Sequence, residues 1–316
     1  MITTLTPNPS IDRTVAIDAL IPGAVIRSAM ATVEAGGKGV NVARALVANG
    51  HEARALFPSG GPTGELFARM LAGVPTEILN TGVDIRTNIS LIESDGRTTK
   101  INEPGHPLNE AQVEALLEVS QQHALSSSWF AACGSLPPGA PADFYARLAE
   151  RLAGGTANLV VDTSGPPLSA MVGVKCSLLK PNRSELAEVT GKTVETMADA
   201  IAAAQHLRSA GITAVLVSLG SDGAVLVDQD GALHGVASTT EVRNTVGAGD
   251  ALLSGFLAGG GDGEAALREG LAWARATVRS ATTLMTGPEP HDYAAVTVSR
   301  VDASTDSENV ALRDMT

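Results

Sequence analysis

Short, nearly continuous apolar runs alternate with amphipathic stretches through most of this chain. The apolar runs predict buried strands at residues 53–58, 129–133, 159–162, 177–179 and 214–219. Apolar residues at helical spacing predict helices near residues 40–49, 110–123, 141–152 and 197–210. This alternation is typical of an α/β fold with a mainly parallel sheet and helices on both faces. Such sheets bind ligands beyond the carboxyl ends of their strands, so residues that follow strands are the first candidates for a site.

Two regions break this alternation, at about residues 11–35 and 86–104. Polar and apolar residues alternate in both, and Ser94-Asp95-Gly96-Arg97 has the composition of a hairpin turn. We expect these regions to form a small antiparallel sheet outside the main one, placed as a lid over the site. Residues 1–300 then form one domain, and the polar residues 301–316 are an expected frayed tail.

Composition excludes several classes of function. The 316 residues include 22 Lys and Arg against 34 Asp and Glu, and the net charge of -12 argues against nucleic acid and anionic membranes as partners. No apolar run approaches the roughly 18 residues of a membrane span, and the first residues do not resemble a signal peptide. Cys133 and Cys176 form no disulfide framework or metal pattern. We therefore expect a cytoplasmic protein.

The segment Gly247-Ala248-Gly249-Asp250 stands where a tight turn leads into an apolar helix. Backbone N–H groups of Gly247, Ala248 and Gly249 can converge at the positive end of the helix dipole and bind an anion. Asp250 beside them can accept a proton from a hydroxyl group, so the segment has the parts that phosphoryl transfer to an alcohol requires. The alternative is a glycine-rich turn with Asp250 as an ordinary charge at a helix N-terminus.

A second glycine-rich turn, Gly36-Gly37-Lys38-Gly39, opens the predicted helix that carries Asn41. Glycines let the backbone approach a polyhydroxylated ligand, while Lys38 and Asn41 offer donors for hydroxyl groups or a phosphate. The turn is not a Walker A loop, because neither Ser nor Thr follows the lysine. The sequence also lacks Gly-x-Gly-x-x-Gly, which argues against a dinucleotide-dependent oxidoreductase. The alternative here is a plain glycine turn into a helix.

Two further segments follow predicted strands and suit a nucleotide and its metal. After Lys180, the i, i+3 spacing of Asn182 and Glu185 suits Mg²⁺ held through water, and it equally suits a helix cap. The glycine-containing turn at residues 218–223 can line a nucleotide with its backbone, although Gly-x-Asp-Gly is also an ordinary turn.

Three charged residues lie in or beside the predicted lid, namely Asp12, Arg27 and Arg86. A carboxylate can hold sugar hydroxyl groups, and guanidinium groups bind phosphate in a planar fork. For each arginine the alternative is a solvated position on the surface. Ser135 follows another predicted strand and so belongs to the same expected edge of the main sheet.

Taken together, these segments resemble the ribokinase-like carbohydrate kinases over about residues 1–295. The opening Thr6-Pro7-Asn8-Pro9-Ser10-Ile11-Asp12 is similar to that of the phosphofructokinase B group, and residues 36–41 and 244–255 resemble the two signatures of the family. The resemblance implies a three-layer α/β/α sandwich with a mainly parallel central sheet and a β-sheet lid. It also implies ATP and Mg²⁺ as cofactors, room for a monovalent cation, and a homodimer formed through the lid.

The implied activity is ATP-dependent phosphorylation of a ketohexose phosphate, with fructose 1-phosphate preferred. Fructose 6-phosphate and tagatose 6-phosphate are the alternative acceptors, and a non-catalytic sugar-phosphate sensor is the alternative of another class. By resemblance Asp250 is the expected base, and Gly247, Ala248 and Gly249 are the expected anion hole. The expected sugar-phosphate ligands are Asp12, Arg27, Gly36, Gly37, Lys38, Asn41, Arg86 and Ser135. The expected ATP ligands are Lys180, Asn182, Ser218, Gly220, Ser221 and Gly223, with Asn182 and Glu185 organising Mg²⁺ through water.

Overall fold

Two β-sheets and the helices packed on the larger one make up the computed structural model, which describes residues 1–28, 30–239, 241–243, 245–280, 287–301 and 311–313. The strands are β1 (Ile2–Leu5), β2 (Ser10–Ile17), β3 (Met30–Gly36), β4 (Ala53–Ser59), β5 (Thr76–Asn80), β6 (Arg86–Glu93), β7 (Thr98–Asn102), β8 (Trp129–Cys133), β9 (Asn158–Asp162), β10 (Cys176–Leu179), β11 (Ile212–Ser218), β12 (Ala224–Asp228), β13 (Gly231–Ala237) and β14 (Val296–Val301). The helices are α1 (Lys38–Ala48), α2 (Gly61–Met70), α3 (Glu110–Ala124), α4 (Phe144–Leu152), α5 (Pro166–Ser169), α6 (Arg183–Thr190), α7 (Met197–Ser209), α8 (Ala248–Ala258), α9 (Gly263–Arg279) and α10 (Pro290–Ala294). Every strand and helix predicted from periodicity is present, with α4 beginning three residues later than predicted because residues 141–143 form a turn.

The large sheet has ten strands in the order β14-β13-β12-β11-β10-β9-β8-β1-β4-β5. All pairs from β5 to β11 along this order are parallel, as predicted. The strands β12, β13 and β14 extend the sheet in antiparallel fashion, which the sequence analysis does not anticipate. Only two residues separate β12 from β13, and so short a connection permits a hairpin but no parallel crossover.

Strand β8 shows how one alternating sequence builds three layers. Trp129, Ala131 and Cys133 pack on the side of the sheet that carries α1, α8 and α9. Phe130 and Ala132 point to the other side, where α3, α4 and α7 cover them. Because successive side chains of a strand face opposite ways, an apolar strand needs helices on both faces. The predicted α/β/α sandwich is thus present.

The small sheet has the strand order β3-β2-β6-β7 and comes from the two regions predicted as the lid. The pairs of β2 with β3 and of β6 with β7 are antiparallel. The central pair of β2 with β6 is parallel, so the prediction of a purely antiparallel sheet is wrong. The chain runs through α1, β4, α2 and β5 of the main domain before it returns as β6, and this long connection allows a parallel return.

The carboxyl-terminal part of the chain differs from the expected frayed tail at residues 311–313. Ala311 forms an isolated β-bridge with Thr196, and Leu312 is buried in the main core. Residue 301 closes β14, while most other residues of the expected tail lie outside the described part of the chain. Among the helices that the structure describes, none has the length and apolar character needed to cross a membrane.

Candidate active site

Asp250 lies in the first turn of α8, beyond the carboxyl edge of the large sheet. Gly247 caps the helix in the left-handed conformation, with φ 81°, which a residue with a Cβ adopts only at a cost. The carboxylate of Asp250 is only 8% exposed and accepts a 2.9 Å hydrogen bond from the Asn41 side-chain amide. Asp250 and Asn41 belong to the two separate glycine-rich segments singled out in the sequence, and the fold brings them into contact.

The environment of Asp250 makes it a stronger base than an ordinary aspartate. Burial raises the pKa of its carboxyl to about 6, and the negative charge of Asp162 adds to this effect. The hydrogen bond from Asn41 and the charges of Lys38 and Lys180 act in the opposite direction and keep the pKa from rising further. A carboxyl with this pKa is mainly ionised at neutral pH yet can accept a proton readily.

The residues expected to form an anion hole occupy the start of α8. Gly247 is the N-cap, so the N–H groups of Ala248, Gly249 and Asp250 belong to the first helical turn and have no carbonyl acceptor within the helix. The Ala248 N–H makes only a long 3.4 Å contact with the Thr245 carbonyl. A Cβ added at Gly249 would stand 3.5 Å from Lys180 Nζ, so a cation lies beside this turn.

A buried carboxylate, Asp162, joins two of the predicted ligand lysines. Its Oδ1 lies 2.6 Å from Lys38 Nζ and its Oδ2 lies 3.0 Å from Lys180 Nζ, and its side chain is fully buried. Burial by itself would raise the pKa of Asp162, but the two lysines lower it below its ordinary value. Burial by itself would lower the pKa of Lys38, but the charge of Asp162 and its hydrogen bond outweigh burial and raise that pKa above its ordinary value. Lys38 and Asp162 are therefore both charged in this cluster.

Asp162 is absent from the candidate residues of the sequence analysis. It ends strand β9 at the carboxyl edge of the parallel sheet, so the rule that pointed to Ser135 and Lys180 applies to it as well. What the sequence does not reveal is its pairing, because Lys38 lies 124 residues away along the chain.

Asp12 and Gly36 meet where the lid joins the main domain. The Asp12 carboxylate accepts hydrogen bonds from the Ser10 hydroxyl at 2.7 Å and from the Asn88 amide at 3.0 Å. Burial raises its pKa, although these hydrogen bonds oppose the shift. A Cβ at Gly36 would stand only 2.1 Å from Asp12 Oδ2, so a glycine is needed at this position for Asp12 to keep its place.

Arg86 borders a pocket of about 490 Å³ between the lid and the main domain. Its guanidinium donates to the carbonyls of Glu103 at 2.8 Å and Asn8 at 3.3 Å, and it approaches Ser135 Oγ at 3.5 Å. Its Nε is buried and, within the described residues, makes no hydrogen bond. Arg27, expected at the same ligand, lies exposed in the loop between β2 and β3, and the structure does not bring it to this pocket.

Asn182 and Glu185 cap the start of α6, which is the alternative to a Mg²⁺ site that their spacing allowed. Asn182 Oδ1 accepts from the Glu185 N–H at 2.9 Å, and Glu185 Oε2 accepts from the Asn182 N–H at 2.8 Å. One oxygen of each side chain is therefore engaged by the backbone at the start of α6. Across the described ranges, no three His, Cys, Asp or Glu residues are grouped as metal ligands.

The other expected ATP ligands lie beside this helix start. Ser218 forms a parallel β-bridge with Asn182, and a 3-10 turn over Gly220–Asp222 follows it. Gly220 and Ser221 are exposed at the edge of the sheet. Gly223 has φ 83°, and a Cβ there would stand 2.0 Å from the Gly235 carbonyl oxygen, so this turn also depends on its glycine.

Residues 6–288 match the pfkB family of carbohydrate kinases. A 1-phosphofructokinase of Haloferax volcanii is 41% identical over 261 residues, which are 82% of this chain and 83% of that protein. The ATP-dependent 6-phosphofructokinase isozyme 2 of Mycobacterium tuberculosis is 36% identical over 264 residues, 82% of this chain and 77% of that protein. The crystal structure of Escherichia coli phosphofructokinase-2 in complex with potassium superposes on this chain with a TM-score of 0.85 at 30% sequence identity. The superposition covers 93% of this chain and 96% of that one, and it confirms the predicted architecture.

Proposed function

The chain belongs to the pfkB family of carbohydrate kinases, and we propose that this ATP-dependent sugar kinase phosphorylates fructose 1-phosphate to fructose 1,6-bisphosphate. The name of the Haloferax volcanii relative supports this acceptor. The Mycobacterium tuberculosis relative, a 6-phosphofructokinase, keeps fructose 6-phosphate as the alternative. Tagatose 6-phosphate, another ketohexose phosphate, completes the set of acceptors to be compared.

The catalytic part of the proposal rests on the position of Asp250, which is buried beside the N-terminus of α8. Its pKa of about 6 lets it take the proton of a sugar hydroxyl group near neutral pH. The hydroxyl oxygen then attacks the γ-phosphoryl group of ATP in line, the bond to the β-phosphate oxygen breaks, and ADP leaves. Asn41 holds the carboxylate by its 2.9 Å hydrogen bond and so fixes the direction in which it faces.

The first turn of α8 and Lys180 stabilise the phosphoryl group as it is transferred. Free backbone N–H groups at a helix N-terminus attract the negative charge of the phosphoryl oxygens. Lys180 lies next to Gly249 and is held by Asp162, so its ammonium is fixed near this position before any ligand binds. Fixed charges of this kind need no rearrangement during the reaction.

Mg²⁺ fits this site as an ion carried by the phosphates of ATP. Asn182 and Glu185 retain oxygen atoms beyond those used in the helix cap, and they would hold the ion through its water shell. When bound, the ion supplies neutralisation of charge on the phosphates.

The pocket beside Arg86 suits the phosphate that the acceptor already carries. Arg86 is half-buried there and donates to the carbonyls of Glu103 and Asn8, while the negative charges of Asp12 and Glu103 favour its charged form. A charged guanidinium whose hydrogen bonds go to neutral oxygen atoms can still attract a dianionic phosphate. Asp12, held by Ser10 and Asn88, supplies the carboxylate expected to bind sugar hydroxyl groups.

We further propose that two copies pair through their lids. Large apolar side chains are exposed across the small sheet and its connecting loop, namely Leu20, Ile21, Val25, Met30, Val33, Ile92 and Ile101. Exposed apolar side chains gathered in one region favour a protein partner, and open strand edges favour pairing with another sheet.

Since the substrates would be ATP and a sugar phosphate, a cytoplasmic location accords with the proposed reaction.

The test is an ATP-consumption assay with Mg²⁺ that compares kcat/KM for fructose 1-phosphate, fructose 6-phosphate, tagatose 6-phosphate, fructose and ribose. We expect the highest kcat/KM with fructose 1-phosphate. A preference for another phosphorylated ketohexose would change the acceptor and keep the phosphate pocket. A preference for an unphosphorylated sugar would overturn the role of Arg86. Tight binding of a sugar phosphate without turnover would indicate a sensor.

A further inference from the structure

Residues 311–313, here called the carboxyl-terminal segment, lie against the loops expected to bind the nucleotide. The Arg313 N–H donates to Asp222 Oδ2 at 2.7 Å, and Arg313 Nε lies 3.3 Å from Asp222 Oδ1. The Leu312 N–H donates to the Glu195 carbonyl at 2.7 Å. Leu312 is 8% exposed and belongs to the main core cluster, so it anchors the segment.

The segment contacts both of the loops that are expected to bind the nucleotide. Asp222 ends the 3-10 turn whose Gly220 and Ser221 are expected ATP ligands. At the other loop, the Arg183 guanidinium donates to the Arg313 carbonyl at 3.1 Å and to the Val194 carbonyl at 2.6 Å. Arg183 directly follows Asn182 at the start of α6. One short piece of chain therefore ties together two loops that are otherwise joined through the bridge of Asn182 with Ser218.

The 3-10 turn has reason to need such an anchor. Gly220 begins the turn with φ 62° and Gly223 follows it with φ 83°, and glycines leave a turn with much conformational freedom in the absence of other contacts. Outside its own backbone hydrogen bonds, Asp222 is held by Arg313 and by a 2.7 Å contact of its carbonyl with His234 Nε2. The first of these contacts comes from a part of the chain 91 residues away.

We propose that the carboxyl-terminal segment positions the nucleotide site, with Arg313 and Leu312 holding the Gly220–Asp222 turn in the conformation that binds ATP. This inference rests on the proposed function, because that function assigns the turn to ATP. The side chain of Arg313 is 73% exposed, and an exposed ion pair contributes little in water. The backbone N–H of Arg313 is therefore the more important of its two contacts with Asp222.

Full-length variants separate these contacts. Arg313→Pro removes the N–H donor and the guanidinium, while Asp222→Ala removes the acceptor of both contacts. Arg313→Lys keeps the N–H and a positive charge, so it is the conservative variant. Arg300→Ala is the matched control, because Arg300 is another arginine whose guanidinium donates to a turn carbonyl, that of Asp230 at the opposite end of β12.

The measurements are the Kd of ATP with Mg²⁺ by calorimetry, KM for ATP and for the sugar phosphate, kcat, and Tm. For Arg313→Pro and Asp222→Ala we expect Kd and KM for ATP to rise about threefold to tenfold, the scale of one or two net hydrogen bonds. The KM for the sugar phosphate should not change. The double variant should show no larger increase than either single one, and Arg313→Lys and Arg300→Ala should resemble the wild type.

Two outcomes would overturn the inference. One is an unchanged affinity for ATP in both Arg313→Pro and Asp222→Ala. The other is a parallel rise of both KM values with a fall in Tm, which would indicate a general structural contribution. Because the affinity for ATP is measured directly, the inference is tested even where the wild type binds ATP and phosphorylates none of the sugars. That last result would refute only the proposed function, whereas a wild type that binds no ATP would refute both.

Discussion

Asn41 Nδ2 donates a 2.9 Å hydrogen bond to Asp250 Oδ2 across 209 positions of the chain. The contact joins α1, which follows the lid, to the first turn of α8. It links the side of the site expected to hold the sugar with the side expected to hold the transferring phosphoryl group. The hydrogen bond favours the ionised form of Asp250, whereas burial favours the neutral form.

Asp250→Asn should lower turnover severely and make the protein more stable at pH 7.5. We expect kcat to fall at least about a thousandfold, the scale for loss of a positioned base. The folded-state pKa of about 6 exceeds the ordinary value of 3.8 for an aspartate, so the carboxyl destabilises the folded protein increasingly as pH rises through this interval. A neutral amide removes a cost of about 3 kcal/mol. Urea unfolding measures the change in stability, and steady-state kinetics measures the change in kcat. A kcat near that of the wild type would show that Asp250 is not the base.

The pH dependence of kcat/KM should report Asp250 directly. We expect activity to fall below a pH of about 6, because the base is then protonated. Asn41→Ala removes a hydrogen bond to the ionised form and should move this limb upward by up to about one pH unit. An acid limb that stays at the same pH in Asn41→Ala would show that another group controls it.

Asp162→Asn should be severely destabilising. Lys38 and Lys180 would lose the carboxylate that pairs with both, and breaking a buried ion pair costs about 3–5 kcal/mol. Thermal unfolding measures the loss, with Glu150→Gln as a control on the exposed face of α4. Equal Tm values for the two variants would mean that the pairs with Lys38 and Lys180 contribute little.

Gly36→Ala tests the close contact with Asp12. The added Cβ would meet Asp12 Oδ2 at 2.1 Å, so the carboxylate must move. We expect the KM for the sugar phosphate to rise about tenfold to a hundredfold, the scale of a lost hydrogen bond to a charged group. In an Asp12→Ala background the same substitution should add little, since the clash is absent. Additive effects on KM would refute the role of this contact.

Most helices and strands could be predicted because their periodicity is a local property. Strand β8 and helix α3 follow from the spacing of their apolar residues, and packing confirms them. The parallel pairing of β2 with β6 could not be predicted, because it depends on the route that residues 37–85 take through the main domain. The same reason explains residues 311–313, whose sequence Ala-Leu-Arg gives no sign of the partners that Asp222 and Glu195 provide.

The candidate site likewise has residues that the sequence predicts and contacts that it does not. Its glycines and charged residues could be named from the sequence, since Gly-Ala-Gly-Asp, Gly-Gly-Lys-Gly and the residues after strands are visible as local patterns. The choice between a metal ligand and a helix cap for Asn182 and Glu185 needed the backbone, and the backbone shows the cap. The pairing of Asp162 with Lys38 and Lys180 needed the whole sheet.

The sequence by itself determined most of the strands and helices and the chemical groups that stand at their ends, because side-chain periodicity and turn chemistry act over a few residues. Only the tertiary structure decided which of those groups meet. Burial and charge then set their protonation, since the pKa of Asp250 depends on Asp162, Asn41, Lys38 and Lys180, which come from distant parts of the chain.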